Sequence, residues 1–450
     1  MAQAKQLKPE KTRKSDFRFT RDLIDGLAKQ NVVLMTGIVN APVIIAATTF
    51  KKGVVIALAF AIISFLTIVT CSFVPKKIVY TLRVIIYALV GSVYYIPTVL
   101  LLEQIFPLTV ELIGIYMPLI IINALIFSKT ESRFYLESKL KMMIDVIFFI
   151  IGFDVVCVLT GGFRELICFG TFAGIQLFDF KIAALESPFG GFILVGIMAG
   201  TFRALYNYLR NRRIRQNSQE QNKAAERTFR SSTDNTAKPA ALTDNGSTRS
   251  RAMDKLVLFI NTAMLAMFVE NAIFSRALGT SVAFYASRKK ESIFGLGLGI
   301  TYVIVVSSCI TFFIDGWLAD WQYFYVVMPL IYTFIVSIVY TGSLLLLWRF
   351  LPKIFRNIKK YVHLSVFNAA VLGALFLNTT YHGDFLSYMG FGVGIAAGFF
   401  IAVFFLHIAN ERLNSPLIPE AFRGMPIMMV FVGIMSLAFY ALTGYNTGAI

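Results

Sequence analysis

Long apolar runs separated by short polar loops dominate this sequence, and most of the runs are close to 20 residues long. About 20 apolar residues are enough for one α-helix to cross a bilayer. Six runs precede a hydrophilic stretch at 209–253 and six follow it, so the sequence predicts an all-α, polytopic membrane protein with about twelve helices. The predicted spans are 32–50, 53–74, 79–102, 112–128, 141–160, 190–208, 255–274, 293–314, 324–348, 362–378, 387–408 and 425–444.

The division into six and six runs predicts two pseudo-symmetric repeats, which we expect to be inverted relative to each other. Between them, residues 209–253 lack apolar periodicity and are rich in Gln, Asn, Ser and Thr, as is typical of a flexible, basic linker. The predicted organisation is a basic cytoplasmic segment 1–31, a membrane domain 32–208, the linker, and a second membrane domain 254–450.

Some predicted spans contain residues that interrupt a helix. The first contains Gly37 and Pro42, the seventh contains Glu270 and Asn271, and we expect similar interruptions near the fourth and tenth spans. Irregular backbone at membrane depth is tolerated only where it is buried in protein or lines a cavity. Two interpretations remain open: kinked structural helices, or half-helices that meet at a site near the middle of the bilayer.

The composition excludes most soluble classes. Apolar residues make up 57% of the chain and charged residues 15%, against about 25% charged in soluble domains. The net charge of +17 lies mainly in loops and tails, where the positive-inside rule places it, so nucleic acid is not an expected partner. The sequence indicates a multi-pass protein of the cell membrane.

The positions of the basic loops do not give one consistent orientation of the chain in the membrane. If every span crosses and the linker lies inside, the basic residues 288–290 would fall outside. Either one interrupted segment does not cross fully, or the two blocks have opposite orientations and the linker is translocated.

Several motifs are more specific than composition. Residues 162–172 read GFRELICFGTF and resemble an element shared by the E subunit of the Rnf electron-transport complex and the D subunit of the sodium-pumping NADH:quinone reductase, Nqr. The second block resembles the sister subunit, Rnf A or Nqr E, at residues 270–279, 410–413, 418–427 and 433–439. The chain is therefore similar to a fused pair of these subunits. The motif residues expected to be structural are Arg164, Glu165, Arg276, Glu411 and Arg412.

The resemblance implies a function in electron transport. Its members pair as inverted repeats and hold a [2Fe–2S] cluster with cysteine thiolates, one from each interrupted helix. The expected function is that of a membrane subunit supporting electron transfer toward extracytoplasmic flavin, or coupled ion translocation. The expected partners are other subunits of such a complex, with flavin (FMN) and iron–sulfur groups on those subunits. Whether this chain counts as an enzyme is left open.

The family's cluster cysteines are missing from this sequence. The resemblance places the four ligand positions at Ala41, Ala124, Ser281 and Ile335, none of which carries sulfur in this chain. We therefore expect no cofactor on the chain itself. The four cysteines elsewhere are an alternative ligand set that the sequence does not decide: Cys71, Cys157, Cys168 and Cys309.

Two acidic residues inside predicted spans are candidates for binding an ion or proton. Asp154 lies in the fifth span and Glu270 in the seventh, and acids inside a membrane are costly and often functional. The simpler alternative is that they pair with Arg276, Arg164 or backbone. If they form a site, the chain is a cofactor-free ion or solute transporter on the same scaffold. Asn40, Asn123 and Asn271 are expected to hydrogen-bond across the interface between the blocks.

Overall fold

A computed structural model gives the positions of most of the chain. The described part is mostly helical, with one short antiparallel ribbon. Within this described part, seven helices are long and apolar enough to cross a membrane, and two pieces bent by 42° form an eighth candidate. The structure describes residues 26–27, 29–37, 41–123, 125–134, 138–179, 181–218, 252–288, 290–350, 366–380 and 383–442.

In block one, the described residues between 26 and 218 form six α-helices and the ribbon. The helices are α1 (Phe50–Cys71), α2 (Tyr80–Ile105), α3 (Thr109–Ile113), α4 (Thr130–Ser132), α5 (Lys139–Phe169) and α6 (Pro188–Ser218). The ribbon pairs β1 (Thr171–Phe172) with β2 (Ile175–Gln176). Short 3₁₀- or π-helical turns occupy Pro42–Ala46, Gly114–Tyr116, Pro118–Ile122, Leu125–Lys129 and Ala183–Glu186.

The described residues of block two, within 252–442, form seven α-helices and a π-helical turn at Leu265–Val269. The helices are α7 (Ala252–Met264), α8 (Thr280–Ala286), α9 (Lys290–Leu318), α10 (Phe324–Phe350), α11 (Ala369–Thr380), α12 (Phe385–Leu413) and α13 (Met425–Ala441). Three apolar helices here are short: Val257–Val269, Ala369–Thr380 and Met425–Ala441.

The predicted interruptions are confirmed as breaks in the first, fourth and seventh segments. Gly37 and Ala277 both take positive φ angles, 63° and 55°, at equivalent places in the two blocks. This left-handed conformation stops an α-helix, and alanine adopts it rarely, so the surrounding packing must enforce it. At Pro42, the missing N–H lets the chain start a new helical turn without losing a bond.

Small residues let helices approach closely on either side of these breaks. A Cβ atom at Gly161 of α5 would lie 2.5 Å from the carbonyl oxygen of Thr49. A Cβ atom at Gly394 of α12 would overlap the carbonyl oxygen of Ala263. Close backbone contact through small residues is typical of membrane helix packing, where hydrophobic burial gives little drive for association.

The last helices of the two blocks pack antiparallel. In α6, Gly196 lies against Pro426 near the start of α13, whereas Gly433, further along α13, lies against Ile193 and Phe189. Since α6 runs from residue 188 to 218, α13 begins toward the end of the bundle where α6 finishes.

Block two is consequently inverted relative to block one. A loop of residues 414–424 joins α12 to α13, so α12 finishes at the end of the bundle where α6 finishes. Helix α7 runs parallel to α12, because Gly390 and Gly398 lie against Phe259 and Met267 in the same order. Helix α7 therefore begins at the end opposite to the one where α6 finishes, and the expectation of inverted repeats is confirmed.

Basic side chains concentrate at one end of the bundle, which we call the basic end. It includes the α1–α2 loop with Lys77, the start of α5, the end of α6, and Arg288 after α8, since His407 near the end of α12 contacts Ser287. The positive-inside rule predicts that this is the cytoplasmic end. The conflict over residues 288–290 disappears, because inversion of block two brings them to the same side as the end of α6.

Candidate functional site

The break in the first segment is organised by one asparagine. The Asn31 amide donates to the carbonyl oxygens of Gly152, at 2.8 Å, and Leu27, at 3.3 Å. Its side-chain oxygen accepts from the backbone N–H groups of Val33 and Leu34, at 3.0 and 2.9 Å. One buried amide thus satisfies backbone groups that the interrupted helix leaves open.

The seventh segment repeats this arrangement. Asn271 donates to the carbonyl oxygens of Gly398, at 3.1 Å, and Met267, at 2.9 Å, and accepts from the N–H groups of Ile273 and Phe274, both at 3.0 Å. Position by position, these are the contacts of the equivalent residue in block one. We call the two arrangements the asparagine clasps.

The fourth and tenth segments each carry an asparagine at the break. Asn123 donates to Ser64 Oγ at 3.0 Å and accepts from the N–H of Ile126. Asn368 accepts from the N–H of Ala370, while its amide nitrogen is buried without a hydrogen-bond partner among the described residues. The expectation of bonds across the interface is wrong for Asn123 and Asn271, since both bond within their own block. Asn40 lies outside the described residues.

Other groups join the breaks of the two blocks. The Tyr116 hydroxyl donates to the Arg276 carbonyl at 3.2 Å, and the rings of Phe127 and Phe367 stack with centroids 5.8 Å apart. The broken segments therefore form one continuous, largely apolar contact region between the blocks.

Only some of the positions predicted for cluster ligands lie at these breaks. Ala41 lies directly before the turn at Pro42, and Ser281 lies in the first turn of α8. Ala124 lies outside the described residues. Ile335 is wrongly placed as a ligand position, because it sits inside the uninterrupted α10, whereas the break that matches Asn123 is at Asn368.

The described residues do not fit an iron–sulfur cluster. Thiolates hold such clusters, and Cys157 and Cys168 are 11 residues apart on one helix, which separates them by about 16 Å. Cys71 lies at the basic end and Cys168 at the opposite end, so Cys71, Cys157 and Cys168 do not converge. Among the described residues, no group of three or more His, Cys, Asp or Glu side chains has metal-binding geometry.

The two candidate acids have different surroundings. Glu270 follows the π-helical turn at the seventh break and forms an ion pair with Arg276 Nε at 2.6 Å. Asp154 lies within α5, and its Oδ1 atom is buried without a hydrogen-bond partner among the described residues. Only Asp154 therefore keeps the character of a candidate ion or proton site.

Arg164 is a structural residue whose side chain joins two separate parts of block one. Its side chain is 1% exposed and donates to the carbonyl oxygens of Ile44, at 2.6 Å, Glu186, at 2.6 Å, and Leu185, at 3.2 Å. The guanidinium thereby joins the half-helix after the first break to the turn before α6. Such charge-assisted bonds are stronger than neutral ones.

Glu165 binds backbone on the other side of α5. Its carboxylate accepts from the N–H of Phe50, at 2.8 Å, and of Gly174, at 2.9 Å. The first bond caps the start of α1, where helix N–H groups are otherwise unpaired.

The block-two motif residues Glu411 and Arg412 do not repeat these roles, since both are exposed near the end of α12. Glu411 and Arg412 resemble Arg164 and Glu165 only in position, since both pairs lie near the end of the long helix that precedes the last helix of their block. The partial counterpart of Arg164 is His407, whose Nδ1 lies 2.7 Å from the Ser287 carbonyl at the end of α8.

Two buried polar clusters were not predicted. Asp315 in α9 accepts the hydroxyls of Tyr332, at 2.5 Å, Tyr388, at 2.6 Å, and Thr379, at 3.0 Å. Asp145, fully buried at the start of α5, pairs with Arg133 at 2.6 Å. A single acid in an apolar helix was the only signal available for either cluster.

The fold and the breaks define an integral membrane protein built from two inverted repeats that pack against each other. The family model for the Rnf-Nqr subunit, membrane protein, matches residues 19–207 and again 259–446. The chain therefore belongs to the Rnf-Nqr family.

Curated relatives match about one repeat each. The A subunit of the Na(+)-translocating ferredoxin:NAD(+) oxidoreductase complex of Acetobacterium woodii is 27% identical over 183 residues, which is 41% of this chain and 95% of that protein. The A subunits of the ion-translocating oxidoreductase complexes of Aliivibrio salmonicida and Escherichia fergusonii are each 28% identical, over 42% of this chain and 96% and 97% of those proteins.

Proposed function

We propose that this chain is the paired membrane core of an Rnf-type electron-transport complex, and that partner subunits carry the redox groups. The observation that carries the proposal is the pair of matched asparagine clasps at Asn31 and Asn271. They support one chain supplying both members of an inverted pair, whereas its relatives, named as subunits of ion-translocating oxidoreductase complexes, match a single repeat length.

In this role the chain positions other groups and does not relay electrons itself. The thiolate positions at two of the breaks are occupied by Ala41 and Ser281, and Asn368 marks the break in the tenth segment. Neither alanine nor serine supplies the sulfur that a cluster requires. Electron transfer across the membrane would then depend on flavin or iron–sulfur groups held by partners against the packed breaks.

Gentle purification of the tagged chain from its native membranes tests this proposal. We expect flavin-bearing subunits to copurify with it, and iron and acid-labile sulfide to remain with those partners when the complex is dissociated. Isolation of the chain without any flavin-bearing protein would contradict the proposal. Two irons and two sulfides bound to the isolated chain would contradict the assignment of redox groups to partners.

A second candidate function is cofactor-free ion transport, which the buried, unpartnered Oδ1 of Asp154 favours. In vesicles containing the purified chain alone, this function predicts cation or proton flux that Asp154→Asn abolishes. Glu270→Gln is the matched control, because Glu270 is already paired with Arg276. Absence of flux in the unaltered protein would exclude this candidate.

A further inference from the structure

A basic cavity of about 270 Å³ lies at the basic end, on the seam between the blocks. Both blocks contribute to its wall: Lys29 precedes the first break, α6 supplies four side chains, and Glu420 comes from the 414–424 loop. The α6 residues are Arg203, Tyr206, Asn207 and Arg210.

The four α6 side chains lie on one face of the helix because of their spacing in the sequence. Positions 203, 206, 207 and 210 are related by three, four and seven residues, and such positions lie on the same side of a helix. Arg203 Nη1 also donates to the Arg423 carbonyl at 2.8 Å, which holds the guanidinium on the seam. A guanidinium has five N–H donors, and this bond uses one of them.

The charge of the cavity selects an anion. Three cationic side chains, Lys29, Arg203 and Arg210, face one acid, Glu420, so the lining has a net charge of +2. Arginine presents a planar fork of donors that matches the oxygens of a phosphate, and lysine adds a point charge. Tyr206 and Asn207 contribute further polar groups from the same face.

The surroundings of the cavity are those of a membrane surface. Next to the polar face of α6, Leu205 and Leu209 are 56% and 50% exposed, and Tyr208 is 63% exposed. Exposed leucines on a membrane helix are suited to contact acyl chains, and tyrosine is enriched where lipid meets water. Basic pockets between helices on the cytoplasmic side are suited to anionic headgroups.

We infer that this cavity binds a phosphate-bearing anion, and that the phosphate is the headgroup of an anionic membrane phospholipid. The headgroup bridges α6 of block one and the 414–424 loop of block two, while its acyl chains lie along the exposed leucines of α6. The lipid therefore stabilises the pairing of the two blocks. This inference does not depend on the proposed function, since it concerns only the seam.

Native mass spectrometry of the full chain in detergent tests the inference, with dioleoyl phosphatidylglycerol as the anionic probe and dioleoyl phosphatidylcholine as the neutral one. We expect one phosphatidylglycerol to be retained in preference to phosphatidylcholine. The double variant Lys29→Gln/Arg210→Gln keeps the Arg203 bond and should bind about 25-fold more weakly, at roughly fivefold for each cation lost. Glu420→Gln should bind roughly fivefold more tightly, because it removes the opposing charge.

Lys77→Gln is the matched control, since Lys77 is an exposed cation at the basic end but outside the cavity. Equal retention of the two lipids, or equal retention by the double variant and Lys77→Gln, would overturn the inference. Titration with inorganic phosphate separates the two possible sources of the anion. Phosphate binding that the double variant loses, without any retained lipid, would overturn the assignment to lipid.

Discussion

Replacing Asn271 by alanine removes the block-two clasp and leaves the rest of the seventh segment unchanged. The backbone N–H groups of Ile273 and Phe274 lose their acceptor, and both residues are fully buried. A buried polar group without a partner costs about 1–3 kcal/mol. Two such groups destabilise block two by about 3 kcal/mol, taken near the low end of that range.

Thermal unfolding in detergent measures this loss. A change of 1 kcal/mol shifts the midpoint by about 2–4 °C for a unit of 150–250 residues. Asn271→Ala should therefore lower the midpoint by roughly 6–12 °C, and Asn31→Ala should do the same because its contacts are equivalent. Asn261→Ala is the control, since Asn261 is an exposed residue of α7, the helix that precedes the break at Asn271.

Two results would refute the reasoning. If Asn271→Ala unfolds at the same temperature as Asn261→Ala, the clasp contributes nothing to stability. If Asn271→Ala is destabilised and Asn31→Ala is not, the two breaks are not energetically equivalent, and the description of the blocks as matched repeats fails at the site that defines it.

Three further predictions concern other parts of the molecule. Arg164→Gln should destabilise the chain by at least about 3 kcal/mol, since three carbonyls lose charged donors. The control Arg412→Gln should change stability by less than about 0.5 kcal/mol. Equal thermal unfolding midpoints for the two variants would contradict this prediction. Asp315→Asn should cost about 2 kcal/mol by disturbing three hydroxyl bonds, and an unchanged midpoint would count against it. Single cysteines at 218 and 252 should react with an impermeant maleimide from opposite sides of the membrane, and labelling from one side would disprove the inversion.

Much of the fold follows from local sequence, because the features that set it are local. Apolar runs of membrane length form the helices. Gly37 and Pro42 interrupt the first segment through their own backbone preferences, whatever the segment packs against. The length of α6 was harder to predict, since it continues to Ser218, ten residues into the stretch interpreted as linker. Polar residues beyond a span can continue a helix in water without any apolar signal.

The site was predicted less well, because its contacts join residues far apart in sequence. Asn271 bonds to Gly398, 127 positions away, and nothing near Asn271 indicates that partner. Ile335 was aligned with a ligand position on three residues, Thr333 to Ile335, and the structure shows an intact helix there. Position in the repeat is a stronger guide, since Asn123 and Asn368 both lie at breaks.

The inversion also sets a condition on how the two blocks are joined. Helix α6 ends at the basic end and α7 begins at the opposite end, yet residues 219–251 include ten charged residues. Each charge at the centre of a bilayer costs about 2.5–3.5 kcal/mol, so the sequence of this stretch disfavours a crossing through lipid. Equal orientation of the blocks would avoid the crossing, but it would place Arg288 and the 414–424 loop outside, against the charge bias. Labelling of single cysteines at 218 and 252 from each side of the membrane therefore tests the inversion directly.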